Sequence, residues 1–215
     1  MVNSSQNIGI PSGWLSHFRD IEQRLVERLP IVWANCSKGL TQQPKEDEVT
    51  RRIVLYLRRD PVARGLGAIH SQYELLEEQL AGDVVPKGYI DIVIMPGIDP
   101  DCYVAVECKR LNVQGKKNRA SLAGLYVKHG MYRYIKTQYS EDLPMGCMLG
   151  YVIDGDMKFA LGKISKAILA RSASLKLVDG PKYIWAPHGM VRFISNHQRK
   201  TGGSHIEIRH ILIPI

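Results

Sequence analysis

The sequence predicts an α/β (mixed α+β) fold in which helices flank a central mixed β-sheet. Three observations lead there. Apolar residues recur at helical spacing over two early segments. Two apolar strand-like runs are joined by a Pro/Gly/Asp turn near the middle of the chain. Further strand and helix patterns alternate from there to the end. The 215 residues suit one domain and suffice to bury a full core. The expected division is residues 1–43 as an N-terminal helical extension, 44–153 as the core, and 154–215 as a closing helix with strands.

Residues 1–12 predict a flexible lead. From Gly13 to Leu29 the apolar positions Trp14, Leu15, Phe18, Ile21, Leu25, Val26 and Leu29 recur at helical spacing, and Pro30 is expected to end that helix. A second helix follows Pro44, with Val49, Ile53, Tyr56 and Leu57 on one side, and stops near Asp60-Pro61. Residues 66–80 fit a strand with a short helix or one irregular element. Tyr89–Met95 and Tyr103–Leu111 form a hairpin across the turn Pro96-Gly97-Ile98-Asp99-Pro100-Asp101. Gln114–Arg119 predicts a basic loop, and Leu122–Tyr139 a helix rich in Tyr, Lys and Arg. Cys147–Ile153 predicts a buried strand closed by Asp154-Gly155-Asp156. A helix over about Leu161–Ala173 and strands at Tyr183–Trp185, Val191–Ser195 and Ile206–Ile213 complete the chain, with Gly202-Gly203 as a hairpin turn.

Charge and cysteine usage narrow the function classes. Lys and Arg outnumber Asp and Glu by 29 to 21, a net +8, which fits a polyanionic partner such as nucleic acid. Cys36, Cys102, Cys108 and Cys147 form no CxxC pair and lie at no zinc-finger spacing, so they are expected as reduced core residues. No run approaches the ~20 apolar residues of a membrane helix. The N-terminus lacks a basic leader and an apolar signal core, so the cytoplasm is the expected location and no membrane partner is expected. The absence of GxxxxGK[ST] argues against intrinsic NTPase activity.

The chemistry is concentrated in the hairpin. Asp91 lies within YIDIVIM, and Glu107 and Lys109 lie within YVAVECKRL. Glu107 and Lys109 are two residues apart and share a strand face, while Cys108 faces the other way with Val104 and Val106. Acids in apolar strands are costly unless compensated. A divalent cation between Asp91 and Glu107 would compensate them, and hard cations such as Mg²⁺ prefer carboxylates. Such a cation also lowers the pKa of an attacking water and neutralises phosphate oxygens, while a lysine positions or deprotonates the water.

Asp91, a turn, then Glu107-Cys108-Lys109 resembles the D…ExK core of the PD-(D/E)XK, or restriction-endonuclease-like, nuclease superfamily. Ile90 stands where the name-giving proline would be. The resemblance implies a restriction-endonuclease-like mixed sheet and metal-dependent hydrolysis of DNA, with Mg²⁺ as cofactor and Mn²⁺ as substitute. It also implies a setting in bacterial restriction or anti-phage defence. It further implies that Asp91 and Glu107 bind metal with the Cys108 backbone carbonyl, and that Lys109 handles the water. Family members add an acid on the preceding helix; Glu48 in PKEDEVTRRIV is the expected one, with Glu46 and Asp47 competing. The implied partners are DNA, and a second copy of the chain or an ATPase or helicase.

Arg110, Lys116, Lys117, Arg119, Lys128 and Arg133 follow the motif and are expected to contact phosphates. His197, Arg199 and His210 are candidates either for the site or for structural duty at strand ends. The rival readings are a non-catalytic nucleic-acid-binding or assembly subunit with the same fold, and a small-molecule enzyme using the acids as general acid and base.

Overall fold

The computed structural model describes residues 13–79, 82–115, 118–199 and 204–215. The expected lead at 1–12 and the Gly202-Gly203 turn lie outside these. The helices are α1 (Trp14–Cys36), α2 (Glu46–Arg59), α3 (Pro61–Arg64), α4 (Ala123–Leu125), α5 (Tyr132–Ile135) and α6 (Met157–Leu169). A π-helical segment, Tyr126–Met131, joins α4 to α5. The strands are β1 (Ala68–Glu78), β2 (Val84–Met95), β3 (Val104–Leu111), β4 (Val113–Gln114), β5 (Arg119–Ala120), β6 (Met145–Val152), β7 (Leu177–Ile184), β8 (Val191–Gln198) and β9 (His205–Pro214).

Seven strands form one mixed sheet in the order β1-β2-β3-β6-β9-β8-β7, with helices packed against it. The centre, β3-β6-β9, is parallel, and antiparallel pairs complete both sides. β6 is buried along its whole length, which explains its unbroken apolar sequence: a parallel strand covered on both faces has no polar side. The segment from 154 onward adds β7, β8 and β9 to the same sheet as the central hairpin.

α1 runs on through Pro30 to Cys36, against the expected stop. A proline inside a helix costs ~3 kcal/mol. Here Val32 and Cys36 continue the buried stripe beyond it, and that burial offsets the loss. Glu22 on the same helix is fully buried. It accepts from Arg192 Nη2 at 2.5 Å and from Arg209 Nε at 2.7 Å, tying α1 to β8 and β9. Within the ambiguous stretch 66–80, Ala68–Glu78 forms β1, and residue 80 lies outside the described residues. The helix expected from Leu161 starts four residues earlier, because the Asp156 side chain accepts from Phe159 N and caps it. All four cysteines are free and buried, and burial pushes their thiols up. Among the described residues no helix is long and apolar enough to cross a membrane.

Candidate active site

The site begins where two strands part. β2 and β3 pair at Ile94↔Val104, Val93↔Ala105 and Ile92↔Val106, and the paired register ends there. The next residues are Asp91 and Glu107, one on each side of the opening. Asp91 Oδ2 accepts the Cys108 backbone N–H at 2.8 Å, so a side chain takes the place of a ladder partner for that buried donor. Its other oxygen, Oδ1, accepts from Gln72 Nε2 at 3.1 Å. Gln72 has a left-handed φ of 52°, and the β1–β2 register passes from Ser71↔Ile92 to Tyr73↔Ile90 without it. The irregularity in β1 thus presents the Gln72 amide to Asp91.

Strand alternation sorts the neighbours of Glu107. The Cys108 thiol faces α2, beside Thr50 and Tyr151. Glu107 faces the α4–π–α5 helix, where Gly130 lets the backbone come close. A Cβ at Gly130 would lie 3.6 Å from Glu107 Cγ and only 2.3 Å from Met148 Cε. One turn later Arg133 Nη1 lies 3.3 Å from Glu107 Oε2 and also donates to the Tyr139 hydroxyl. π-Helical turns often mark functional positions; this one sits directly over Glu107.

Lys109 reaches into the opening. Its Nζ donates to Glu46 Oε1 at 2.9 Å and to the Cys108 carbonyl at 2.7 Å. It lies 2.8 Å from Glu107 Oε1 and 3.9 Å from Asp91 Oδ2. The contact with Glu107 is an ion pair at an angle that leaves the fully buried Oε1 without a hydrogen bond. One ammonium therefore stands among three carboxylates. Burial pushes the Glu107 carboxyl up to about 7, with Asp91 adding to the rise. Burial likewise raises Asp91. For Lys109 burial works downward, but Glu107, Glu46 and Asp91 together outweigh it and hold the ammonium above its ordinary range.

Of the α2 acids, Glu46 is the one that contacts Lys109, where the sequence pointed to Glu48. Glu46 is the first residue of the helix, and besides Lys109 it accepts the Arg110 backbone N–H at 2.9 Å. Glu48, two residues on, is half-buried and is not among the contacts of Lys109.

The predicted phosphate contacts divide. Arg110 is turned to the start of α2, donating to the Pro44 carbonyl. Arg119 is not an open cation: it pairs with Asp154 at 2.6 Å and Asp156 at 2.9 Å and lies over the Phe159 ring. Arg133 belongs to the acidic site through Glu107. Lys128 is exposed on the π-helical segment. Lys116 and Lys117 lie outside the described residues.

His197 and His210 are fully buried in a hydrogen-bonded chain running Tyr126–His210–Ser195–His197–Leu175 carbonyl, each link 2.8–2.9 Å. Only one direction satisfies it. The Leu175 carbonyl can only accept, so His197 Nδ1 donates to it; Ser195 then donates to His197, His210 Nε2 to Ser195, and Tyr126 to His210. Arg199 is buried against the Leu143 carbonyl. His210 lies on β9, two strands from Glu107 across Met148, and His197 and Arg199 lie further out; among the described residues none of the three is bonded to Asp91, Glu107 or Lys109.

Comparison with protein-family models, with curated proteins and with solved structures found no match.

Proposed function

We propose that the chain is a metal-dependent nuclease of the PD-(D/E)XK type that hydrolyses phosphodiester bonds in DNA. The observation that carries this reading is the convergence, where β2 and β3 part, of Asp91 and Glu107 with a lysine between them. An exposed Glu–Lys pair on a solvated strand would have Glu107 in water; here it is fully buried. A small-molecule acid–base pair would not call for an ammonium held between the carboxylates.

A divalent cation suits the donor set. Asp91, Glu107 and the Cys108 carbonyl offer hard oxygen ligands, and Glu107 is a fully buried carboxylate whose Oε1 is met by the Lys109 ammonium at 2.8 Å. Among the described residues no three His, Cys, Asp or Glu side chains form a ready-made cage. A carbonyl and waters would therefore complete the shell, as Mg²⁺ commonly requires. When bound, the cation supplies charge neutralisation and a more acidic water.

The chain's own residues do the rest. Gln72 and the Cys108 N–H fix the plane of the Asp91 carboxylate. Lys109, held protonated by its carboxylate neighbours, orients the water and stabilises charge on the phosphoryl oxygens; an ammonium with a raised pKa is a poor base. Glu46 holds Lys109 in place, and Arg133 steadies Glu107. A restriction or anti-phage setting, with a second copy or an ATPase beside the chain, follows from the family resemblance.

The test is cleavage of plasmid and linear DNA with Mg²⁺ or Mn²⁺, and with EDTA, for the wild type and for Asp91→Asn, Glu107→Gln and Lys109→Met. Cation-dependent cleavage lost in all three variants is the expected result. Cleavage undiminished by EDTA, or full activity in Lys109→Met, would refute the mechanism.

A further inference from the structure

Positive charge is segregated along this chain. Residues 108–140 contain eight Lys and Arg and no Asp or Glu; residues 157–178 contain five and none. The rest of the chain holds the other sixteen Lys and Arg against all 21 Asp and Glu. The protein's basic character therefore resides in two segments, and outside them the balance is acidic.

The fold brings the helical parts of these segments together on one side of the sheet. The α4–π–α5 helix lies in the first segment and α6 in the second, and the two pack together. Arg171 approaches Gly124, and the Tyr132 hydroxyl donates to Ser174. This side is opposite α2, since Glu107 faces the π-helical segment while its neighbour Cys108 faces α2. Lys158, Lys163 and Lys166 are exposed along α6, and Lys128 and Lys136 along the neighbouring helix. None of the five has a carboxylate partner among the described residues, whereas Arg119 at the border is neutralised by Asp154 and Asp156.

We propose that this α6/α4–π–α5 face docks the sugar–phosphate backbone of duplex nucleic acid. The choice of partner rests on the nuclease reading; the choice of surface rests on the charge segregation. Two features favour a duplex over a single strand. Single strands are held by stacking bases on aromatic rings, and the aromatics here are not available. Tyr126 and Tyr134 are buried, Tyr132 is bonded to Ser174, and Phe159 lies under Arg119. What the face offers is a lysine ridge: the 13 residues of α6 span roughly 20 Å. A duplex presents one phosphate charge per ~1.7 Å of axis. The face also adjoins the acids, since Arg133 on the same helix contacts Glu107. A duplex along it would arrive at the opening between β2 and β3.

The experiment compares two triple variants of the full chain. One is Lys158→Gln/Lys163→Gln/Lys166→Gln. The other is Arg24→Gln/Arg51→Gln/Arg59→Gln, which removes the same charge from exposed positions on α1 and α2. Binding to a fluorescent DNA duplex is measured in EDTA across a salt series, with melting curves to confirm folding. Each lost phosphate contact should lower the slope of log affinity against log salt by about 0.9. The α6 variant should therefore lose up to about 2.7, and the control should keep the wild-type slope. Equal losses in both variants, or an unchanged slope in the α6 variant, would overturn the proposal. So would loss of binding to phosphatidylserine vesicles by the α6 variant while its duplex binding persists, which would make the face a lipid-surface site. Cleavage scored on the same proteins separates the two readings. A wild type that cleaves while the α6 variant binds normally loses this face and keeps the nuclease; duplex binding through the face with no cleavage under any cation does the reverse.

Discussion

Replacing Lys109 by methionine should destabilise the protein in a pH-dependent way whose onset the site fixes. Glu107 is fully buried, and its carboxyl is raised from 4.5 to about 7 even with the Lys109 ammonium 2.8 Å away. A raised acid destabilises the fold as pH rises: the unfolded chain releases its proton near 4.5, while the folded chain holds on until its own pKa. Each unit in that window costs about 1.4 kcal/mol, and above the folded pKa the cost stops growing. In the wild type the cost levels off near pH 7. With the ammonium gone, Glu107 faces Asp91 with only Arg133 to offset it, and its folded pKa climbs further. The cost then continues to grow past pH 7. The gap between the two proteins should be nearly constant below pH 6 and about 1.4 kcal/mol wider at pH 8 than at pH 6, rising by the same amount per unit beyond. Urea unfolding in EDTA at several pH values measures it. Lost packing by the lysine stem would give a gap independent of pH, and a flat difference from pH 6 to 9 would refute the view that Lys109 limits the rise of the Glu107 carboxyl. Saturating Mg²⁺ should narrow the gap at high pH, since a cation between the carboxylates replaces the missing charge.

Three further outcomes follow from the same contacts. Glu46→Gln should lower cleavage at least tenfold, while Glu48→Gln stays near wild type; equal effects would return the α2 acid to an undecided choice. Gln72→Gly removes the amide that holds Asp91 but accepts the left-handed backbone freely, so urea stability should stay within about 1 kcal/mol of wild type while cleavage falls; full activity would show that Asp91 needs no such support. Burial depresses His197 to about 4 from 6.5 and pushes His210 down as well. The unfolded chain therefore takes up protons that the folded chain refuses, and stability present above pH 6.5 is lost as pH falls towards 4. His197 alone accounts for about 3 kcal/mol of that loss, and Ser195→Ala, which breaks the chain joining the two rings, should cost about 1–3 kcal/mol at neutral pH. Denaturation midpoints between pH 4 and 7 check both.

Much of the fold could be read directly because it obeys local periodicity. The central hairpin, the buried β6 and the face of α2 each carry a pattern that one element alone explains. The misplaced boundaries fall where a tertiary contact overrides a local signal. Pro30 is a sound stop signal, yet Val32 and Cys36 have a core to enter beyond it. β1 is ambiguous in sequence because Ile69, Tyr73 and Leu75 share one face but Leu76 follows directly on the other, where a bulge between Leu75 and Leu76 shifts the pairing with β2.

The site divides along the same line between local and non-local causes. Asp91, Glu107 and Lys109 were legible because polar residues inside apolar strands are conspicuous, and spacing alone puts two of them on one face. Which acid of Glu46, Asp47 and Glu48 would join them depends on how α2 is rotated against β3. That rotation is set by where Val49, Ile53 and Leu57 enter the core, and it brings the first residue of the helix to Lys109. The fate of the cations was harder to read, because a cation's availability depends on what stands across from it. Arg119 and Lys163 look alike in sequence, but the turn at Asp154–Asp156 closes over the first and leaves the second open. Arg133 could pass for a phosphate contact until Gly130 brings its helix down onto Glu107. Composition fixes how many charges there are, and the crossover helices decide which of them remain free to meet a polyanion.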